Sequence, residues 1–329
     1  MMESFSKETS MDKRKVVVNL RRGPGDPLYD FLRDTLLSCH FEVIKTNYGK
    51  NEMDNLIAEV SKTDALISGV DLWGRDELER VTPGLKIICK IGTGVDNIDI
   101  EAARKCNIAV ANTPGANANA VAEGAVALML ALSRRICAAD RDMRKRNWIN
   151  QILTMEIIGK TIGIVGYGHI GKRVISLLSG FSRHIMVYDP FINIPAEGQE
   201  YIRFSDFDTL VSECDVVSLH LPANRETYHM VNEQVLLKMK RSALLINTSR
   251  GSVIDEAALL RALKDGIIAG AALDVFEQEP LENSALLELE NTVLTPHMLS
   301  GSRESAFNSM AMAAENLKAY FDGNPRHLL

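Results

Sequence analysis

Three polar residues in the second half of the chain have the side-chain types needed for proton transfer and carboxylate binding. A histidine such as His297 changes charge near neutral pH and can exchange a proton with the oxygen of a hydroxyl/keto pair. A carboxylate such as Glu279 beside it would orient the imidazole and favour its charged form. The guanidinium fork of Arg250 matches a substrate carboxylate and could polarise a keto oxygen. Taken singly, each residue also has a structural explanation: an ion pair, a loop, or a packed histidine.

The positions of these residues relative to predicted strands favour the functional interpretation. Polar residues follow four strand-like runs, which are Lys86–Cys89, Ala243–Ile246, Gly270–Leu273 and Val293–Pro296. Open parallel sheets bind ligands outside the carboxyl ends of their strands. Arg250, Asp274 and His297 therefore belong to one predicted site, with Glu279 soon after the third of these runs. This set of side chains suits hydride chemistry.

A glycine-rich turn in the middle of the chain predicts a dinucleotide site beside these residues. The stretch Thr161–Gly171 begins as a β-branched strand, ends in G-x-G-x-x-G, and is followed at once by residues with helical spacing. Gly166 would permit a tight turn, and Gly168 would let a pyrophosphate approach the backbone. Gly171 would let the helix sit close to the strand, with the phosphates at its positive N-terminus. The alternative is a glycine-rich turn with a purely structural role.

An acidic residue stands where a dinucleotide site needs one. Asp189 follows the strand-like run Ile185–Tyr188 and comes 18 residues after Gly171. A carboxylate at this distance accepts hydrogen bonds from the adenosine ribose. It would also repel a 2′-phosphate, and the next residues, Pro190–Ile192, offer no cation. The pattern therefore predicts NAD(H) rather than NADP(H).

Composition excludes several other classes of function. The 329 residues are 46% hydrophobic and 24% charged, as expected for two globular domains. The net charge of −6 comes with no basic block, so nucleic acid is not an expected partner. No apolar run reaches the ~18–20 residues that a membrane span requires. The five cysteines are scattered, without C-x-x-C, which indicates reduced thiols and no metal site.

The remaining pattern predicts an α/β fold. Residues 1–13 are polar, lack the apolar segment of a secretory signal, and are expected to form a disordered tail of a cytoplasmic protein. From Lys15 onward, strand-like and helix-like segments alternate, as in parallel sheets. A long helix, about Ala118–Arg135, is apolar all round, which suits burial between domains, a dimer interface or a simple core helix.

The chain resembles the D-2-hydroxyacid dehydrogenases, in the phosphoglycerate dehydrogenase branch, from about Val16 to Phe321. Several motifs carry the resemblance in the same order: Lys90–Asp99, Asn112–Asn117, Gly163–Gly171, His220–Pro222, Asn247–Gly251, Gly270–Pro280 and Pro296-His297. The resemblance implies two Rossmann/flavodoxin-like parallel-sheet domains, with the nucleotide-binding domain inserted in a split substrate-binding domain. The expected substrate-binding domain covers residues 14–109 and 298–329, and the expected NAD-binding domain covers residues 110–297. It also implies a homodimer formed through the NAD-binding domain.

The resemblance further implies roles for single residues. Arg250, Glu279 and His297 are the catalytic set: Arg250 binds the substrate carboxylate and keto oxygen, and His297 is the acid/base with Glu279 as its partner. Backbone amides of the loop Gly92, Thr93, Gly94 and Val95 hold the substrate carboxylate. The implied NAD contacts are Thr93, Gly166, Gly168, His169, Ile170, Gly171, Asp189, His220, Leu221, Pro222, Thr227, Thr248, Ser249, Asp274 and Ser300, with Asp274 at the nicotinamide carboxamide.

Two departures from the family pattern limit what the resemblance implies. Leu299 and Ser300 stand where the family has a small residue pair, and the larger Leu299 bears on the width of the nicotinamide pocket. Ser68-Gly69 stands where many phosphoglycerate dehydrogenases have an arginine, which weakens the case for a phosphorylated substrate. Arg21, Arg22 and Lys90 lie at other predicted strand ends of the same half and could substitute for it, the alternative being simple surface charge. The sequence therefore predicts an NAD-dependent oxidoreductase for a small 2-hydroxy/2-keto acid. The candidates are 3-phosphoglycerate and glyoxylate- or hydroxypyruvate-type acids. The alternative is a corepressor-like scaffold that responds to NAD and has little turnover.

Overall fold

The computed structural model describes residues 13–149, 153–192 and 201–329. The chain divides into two compact units. The first unit consists of the residues up to Asn117 together with Arg303–Leu329, and the second is the continuous segment Ala118–Ser302. These boundaries fall later in the chain than the sequence-based ones, after residues 109 and 297. The predicted tail, apart from Lys13, lies outside the described residues.

The described residues form twelve strands and eleven α-helices. The strands are β1 (Arg14–Asn19), β2 (Phe41–Thr46), β3 (Ala65–Ser68), β4 (Ile87–Lys90), β5 (Ala109–Ala111), β6 (Ile162–Val165), β7 (Ile185–Tyr188), β8 (Ile202–Phe204), β9 (Val216–Leu219), β10 (Leu244–Asn247), β11 (Gly270–Leu273) and β12 (Thr292–Leu294). The helices are α1 (Pro27–Ser38), α2 (Met53–Val60), α3 (Arg75–Val81), α4 (Ile100–Lys105), α5 (Ala118–Ser133), α6 (Ile136–Arg144), α7 (His169–Leu178), α8 (Phe207–Glu213), α9 (Glu233–Lys238), α10 (Glu256–Lys264) and α11 (Arg303–Phe321). Short 3₁₀ turns cover Lys50–Glu52, Gly251–Val253 and Ala285–Glu288.

The first unit is built on a five-stranded parallel sheet with the order β2-β1-β3-β4-β5. Successive side chains of a strand point to opposite faces, so β1 contributes to two cores. Val16 and Val18 pack with α1 and α11 on one face, while Val17 packs with α2, α3 and α4 on the other. The start of α1 is capped by Asp26, whose carboxylate accepts hydrogen bonds from the first-turn amides, with Pro27 at the first helical position.

The second unit is built on a seven-stranded parallel sheet with the order β12-β11-β10-β9-β6-β7-β8. Counted within the unit, this is the doubly wound order in which a dinucleotide lies where the strand order reverses, here between β6 and β9. Ile162 and Ile164 of β6 pack with α5 and α7 on one face. Val165 packs with α8, α9 and α10 on the other. The topology therefore places the glycine-rich turn at the reversal point.

Two elements of the second unit were not predicted from the sequence. Helix α6 has no buried residue, so it lacks the apolar stripe by which a helix is recognised. Strand β8 is a three-residue edge strand with no fully buried side chain. None of the helices in the described residues is long and apolar enough to cross a membrane.

Candidate active site

The turn after β6 has the geometry that its glycines predict. Gly166 has φ +101°, and a Cβ built there would lie 2.4 Å from the carbonyl oxygen of His220. A Cβ at Gly171 would lie 2.0 Å from the carbonyl oxygen of Gly166, so α7 can approach the turn only with glycine at this position. A Cβ at Gly168 would meet nothing within 4 Å. Two glycines therefore close the turn, and the third leaves open space at the N-terminus of α7, where His169 begins the helix.

Asp189 fixes the glycine-rich turn to the end of the neighbouring strand. Its Oδ2 accepts a 2.8 Å hydrogen bond from the backbone N–H of Tyr167, and its Oδ1 accepts a 2.9 Å bond from the N–H of Phe191. The carboxylate is thus held at the carboxyl end of β7, and its remaining lone pairs are the kind of acceptor that a ribose hydroxyl needs.

The segment after β9 carries a half-buried histidine that is neutral. The Nε2 of His220 lies 2.9 Å from the Oγ of Ser218, whereas its Nδ1 has no hydrogen-bond partner within the described chain. Burial lowers the pKa of His220 to about 4. Farther along, the hydroxyl of Thr227 donates to the carbonyl of Pro222 at 2.7 Å and closes the turn that follows. Leu221, between them, is buried.

The segment after β10 is held by the side chain of Asn247. Its Oδ1 accepts hydrogen bonds from both the N–H and the hydroxyl of Ser249, and its Nδ2 donates to the carbonyl of Arg250. The guanidinium of Arg250 donates to the carbonyl of Ser249 at 2.7 Å. Thr248 is 8% exposed, and its hydroxyl has no partner among the residues described.

These features fit a bound dinucleotide. Buried polar atoms without partners carry a desolvation cost, and native proteins rarely keep them unless something else satisfies them. Two such atoms, His220 Nδ1 and Thr248 Oγ1, belong to segments at the carboxyl ends of β9 and β10. Gly168 leaves room for a pyrophosphate at the positive end of α7, and Asp189 provides the ribose acceptor.

His297 and Glu279 form a hydrogen-bonded pair. The Nδ1 of His297 lies 2.7 Å from the Oε2 of Glu279, and the other carboxylate oxygen accepts a 3.0 Å bond from the N–H of Phe276. An ionised carboxylate only accepts, so Nδ1 carries the proton and Nε2 is left to exchange protons with a ligand. The two side chains are 45% and 36% exposed, so a small molecule can reach them. The pair predicted from the sequence therefore has the geometry of a general acid/base.

A buried carboxylate holds the turn that presents His297. The Oδ1 of Asp274 accepts from the hydroxyl of Thr295 at 2.6 Å and from the N–H of Met298 at 3.0 Å. Its Oδ2 accepts from the N–H of Leu299 at 3.2 Å, and the N–H of His297 donates to its backbone carbonyl at 2.7 Å. His297 itself has φ +50°, a left-handed conformation that these bonds maintain. Sequence reasoning gave Asp274 a role toward the cofactor and missed its role as the anchor of this turn.

Leu299 and Ser300, the two residues that depart from the family pattern, differ in environment. Leu299 is half-buried and packs with the core formed by α5 and α7, whereas Ser300 is exposed. Ile170, in the first turn of α7, packs against the same core.

The loop Gly92–Val95 belongs to the first unit and is held by the segment after β5. The N–H of Gly92 donates to the Oγ1 of Thr113 at 2.8 Å, and the carbonyl of Thr93 accepts from the Nδ2 of Asn112 at 2.7 Å. Gly92 has φ +115°, which favours glycine. Within the described residues, the backbone amides of Thr93, Gly94 and Val95 have no acceptor. Three of the four predicted amides are therefore available to an anion.

Comparison with known proteins identifies the family to which the chain belongs. Residues 126–298, more than half of the chain, match the profile of the D-isomer specific 2-hydroxyacid dehydrogenase NAD binding domain. The chain belongs to this family. It is 44% identical over 276 residues to the glyoxylate reductase of Thermococcus litoralis, covering 82% of this chain and 83% of that protein.

Other relatives carry a second name within the same family. The chain is 38% identical over 304 residues to the D-3-phosphoglycerate dehydrogenase of Archaeoglobus fulgidus, covering 92% of this chain but 57% of that protein. Among solved structures, a glyoxylate reductase from Paecilomyes thermophila superposes with a TM-score of 0.86 at 28% identity, covering 97% of this chain and 99% of that one.

Family membership confirms the predicted class of function. The chain is an NAD-dependent oxidoreductase that interconverts a D-2-hydroxy acid and its 2-keto acid. The two parallel-sheet domains confirm the predicted fold class. The relatives are named as enzymes, which gives no support to the corepressor-like alternative.

Proposed function

We propose that this dehydrogenase acts on a small unphosphorylated 2-keto acid of the glyoxylate or hydroxypyruvate type, with Arg250, Glu279 and His297 as its catalytic residues. The 2.7 Å contact between His297 and Glu279 carries the proposal, because it leaves Nε2 of His297 as the proton donor. Arg250, on the segment after β10, binds the substrate carboxylate and polarises its keto oxygen.

The protein residues account for the proton in the reaction. NADH, when bound, supplies the hydride that reaches the keto carbon. As the carbonyl π bond breaks toward oxygen, that oxygen takes the proton from Nε2 of His297. Glu279 keeps the ring oriented through Nδ1 while the ring gives up its charge, and the exposed imidazole regains a proton from water. Oxidation of the hydroxy acid reverses each step.

The residues after β3 support an unphosphorylated substrate. Where many phosphoglycerate dehydrogenases have an arginine, Ser68 donates its hydroxyl to the Oδ2 of Asp71 at 2.7 Å. The Oδ1 of Asp71 accepts from the side chain of Asn19 at 2.9 Å. A carboxylate rather than a guanidinium is therefore held at this strand end, and it would repel a phosphate. The similarity to a protein named glyoxylate reductase supports the same substrate class.

A substrate panel tests this proposal. The kcat/KM values with NADH are measured for glyoxylate, hydroxypyruvate and 3-phosphohydroxypyruvate. We expect an unphosphorylated acid to be preferred by at least ~10-fold, equivalent to ~1.4 kcal/mol in transition-state binding. A preference for the phosphorylated acid would overturn the substrate assignment alone. No turnover of any of the three would overturn the proposed function.

We also propose that the protein is a homodimer formed through its NAD-binding unit. No residue of helix α6 is buried within the protomer, and its apolar side chains Ile136 and Met143 are exposed. Trp148, which follows it, is 76% exposed, and Leu153 is 99% exposed. Apolar side chains concentrated in this way are typical of protein interfaces. Light scattering should give the mass of a dimer, and Trp148→Asp should shift the measured mass toward that of the monomer.

A cytoplasmic setting is proposed from the five free cysteines, because cytoplasmic thiols are kept reduced.

A further inference from the structure

Residues 327–329 add a short antiparallel segment to the exposed edge of the first unit's sheet. The N–H of Leu329 donates to the carbonyl of Val110 at 3.0 Å, and the N–H of Asn112 donates to the carbonyl of His327 at 3.4 Å. Leu328 and Ala111 form the bridge between them. Strand β5 is the edge strand of this sheet, so the segment covers backbone groups that would otherwise be open.

A buried asparagine connects this segment to the interior. Asn316 is 1% exposed and lies on α11 among apolar side chains such as Ala313 and Leu317. Its Nδ2 donates to the carbonyl of Asn112 at 2.8 Å, and its Oδ1 lies 2.9 Å from the Nδ1 of His327. An amide oxygen only accepts, so the Nδ1 of His327 is the donor. Burying an amide costs free energy unless it is paired, and this one is paired at both ends.

Asn112, which Asn316 contacts, also holds the loop Gly92–Val95, called the substrate loop below. The side chain of Asn112 donates to the carbonyl of Thr93, and the next residue, Thr113, takes both backbone groups of Gly92. Its Oγ1 accepts from the Gly92 N–H at 2.8 Å, and its N–H donates to the Gly92 carbonyl at 3.1 Å. Asn112 is 7% exposed and Thr113 is fully buried.

A continuous chain of hydrogen bonds therefore runs from the surface to the loop. It passes from His327 through Asn316 to the backbone of Asn112, and from the side chain of Asn112 to Thr93. This chain fixes one backbone group of the loop, the carbonyl of Thr93, and the neighbouring Thr113 fixes both groups of Gly92. The amides of residues 93–95 remain available to an anion. Polar networks that are fully satisfied in a core favour a single arrangement.

We propose that Asn316 and His327 are positioning residues for the substrate loop: they fix the segment after β5, and that segment fixes the amides that bind the substrate carboxylate. The proposal rests on the proposed function, and it takes the amides of the loop Gly92–Val95 as carboxylate-binding groups in addition to Arg250, as the family resemblance implies. Neither residue touches the substrate. Both act through Asn112.

The test uses two variants of the full-length protein and one matched control. Asn316→Leu keeps a similar side-chain volume but removes the hydrogen bonds to Asn112 and His327, together with a 3.8 Å contact from Nδ2 to the Sγ of Cys89. His327→Ala removes only the surface end of the chain of bonds. His40→Ala is the control, because His40 is also an exposed histidine of the first unit with a left-handed φ, 65° against 52° for His327. Thermal melting reports whether each variant folds. If Asn316→Leu does not fold, the proposal is still tested by His327→Ala.

Two readouts separate positioning from simple destabilisation. Hydrogen exchange at the amides of Gly92, Asn112 and Thr113, which are hydrogen-bonded in the wild type, should become faster in both variants, while peptides from β1 and β3 of the same sheet keep their wild-type rates. The KM for the 2-keto acid should rise, by ~10-fold for Asn316→Leu, because small misplacements of binding groups can cost up to ~10²-fold. The Kd for NADH should rise much less than the KM, since all the implied dinucleotide residues except Thr93 belong to the second unit.

The outcomes distinguish this inference from the proposed function. Faster exchange at the loop with a raised KM supports the inference. Wild-type exchange and KM in both variants would overturn it, even if the wild-type enzyme reduces glyoxylate. Faster exchange with an unchanged KM would also overturn it, because the loop would then not bind the carboxylate. If wild type turns over none of the acids, the proposed function fails and the inference fails with it.

Discussion

Leu299 lies directly against Gly124 of helix α5. A Cβ built on Gly124 would come 2.7 Å from the Cδ2 of Leu299 and 2.9 Å from its Cβ. Both distances are too short for real contacts, and the second involves an atom next to the backbone, which a change of rotamer cannot move. The absence of a side chain at Gly124 thus makes room for the large residue that departs from the family pattern.

Gly124→Ala should impair catalysis more than stability. The added methyl group would displace Leu299 and, with it, the turn that carries His297. The free energy of unfolding should change little, because the overpacking cost of ~1–3 kcal/mol is partly offset by the ~1 kcal/mol by which alanine stabilises a helix relative to glycine. We expect kcat/KM to fall by ~10-fold or more with a small change in Tm. The double variant Gly124→Ala/Leu299→Ala, which restores the space, should recover most of the activity. If it is no better than the single variant, the contact does not set the position of the turn.

Removing the acid/base should lower turnover without loss of NADH binding. General acid–base catalysis is worth ~10²–10⁴-fold, so we expect His297→Ala to lower kcat by that factor. Glu279→Gln keeps the shape of the partner but removes its charge, and its effect should be smaller. Glu282→Gln, on an exposed glutamate of the same loop, is the matched control. Steady-state kinetics and NADH fluorescence titration provide the measurement, and wild-type kcat in His297→Ala would exclude its catalytic role.

Asp189 should set the choice between NADH and NADPH. Its carboxylate would repel the 2′-phosphate of NADPH, so wild type should prefer NADH by at least ~10-fold in kcat/KM, about 1.4 kcal/mol. Asp189→Asn keeps the side-chain oxygen that can accept from Tyr167 but removes the charge. The variant should lose most of the discrimination, chiefly through a lower KM for NADPH. Equal use of both cofactors by wild type would contradict the assignment.

Protonation of His220 should destabilise the apo protein in acid. Burial lowers its pKa from 6.5 to about 4, so between these values the unfolded chain binds more protons than the folded one. Stability then falls as the pH drops from 6.5 to about 4, by at most ~3 kcal/mol from this group. The free energy of unfolding is measured by chemical denaturation across this window. His220→Asn should lack this pH-dependent contribution to the free energy of unfolding, whereas the control His40→Asn should keep it. If the free energy of unfolding of wild type and of His220→Asn changes with pH in parallel, His220 does not titrate in this window.

The parts of the site that were predictable from the sequence depend on local geometry. Gly166 and Gly171 are required by contacts within one turn, and Asp189 reaches that turn from the adjacent strand, so a short motif carries the information. Types of side chain were also informative, since His297 and Glu279 do pair.

The parts that were not predictable depend on strand pairing. Thr113 meets Gly92 only because β4 and β5 lie side by side, and Asp274 reaches Met298 only because β11 and β12 do. The hydrophobic periodicity of a sequence does not show which residues of neighbouring strands will meet. Helix α6 was not predicted for a different reason: none of its residues is buried within the protomer, so its sequence has no apolar stripe.

The insertion of one unit inside the other also affects the order in which the chain can fold during synthesis. The first unit requires α11, whose Phe307 and Phe321 pack against Phe31 and Phe41 from the opposite end of the sequence. A ribosome must therefore finish the whole inserted segment before that core can close. The second unit is continuous and is complete when Ser302 emerges. Vectorial synthesis thus favours folding of the dinucleotide-binding half first, with the loose ends of the other half brought together last.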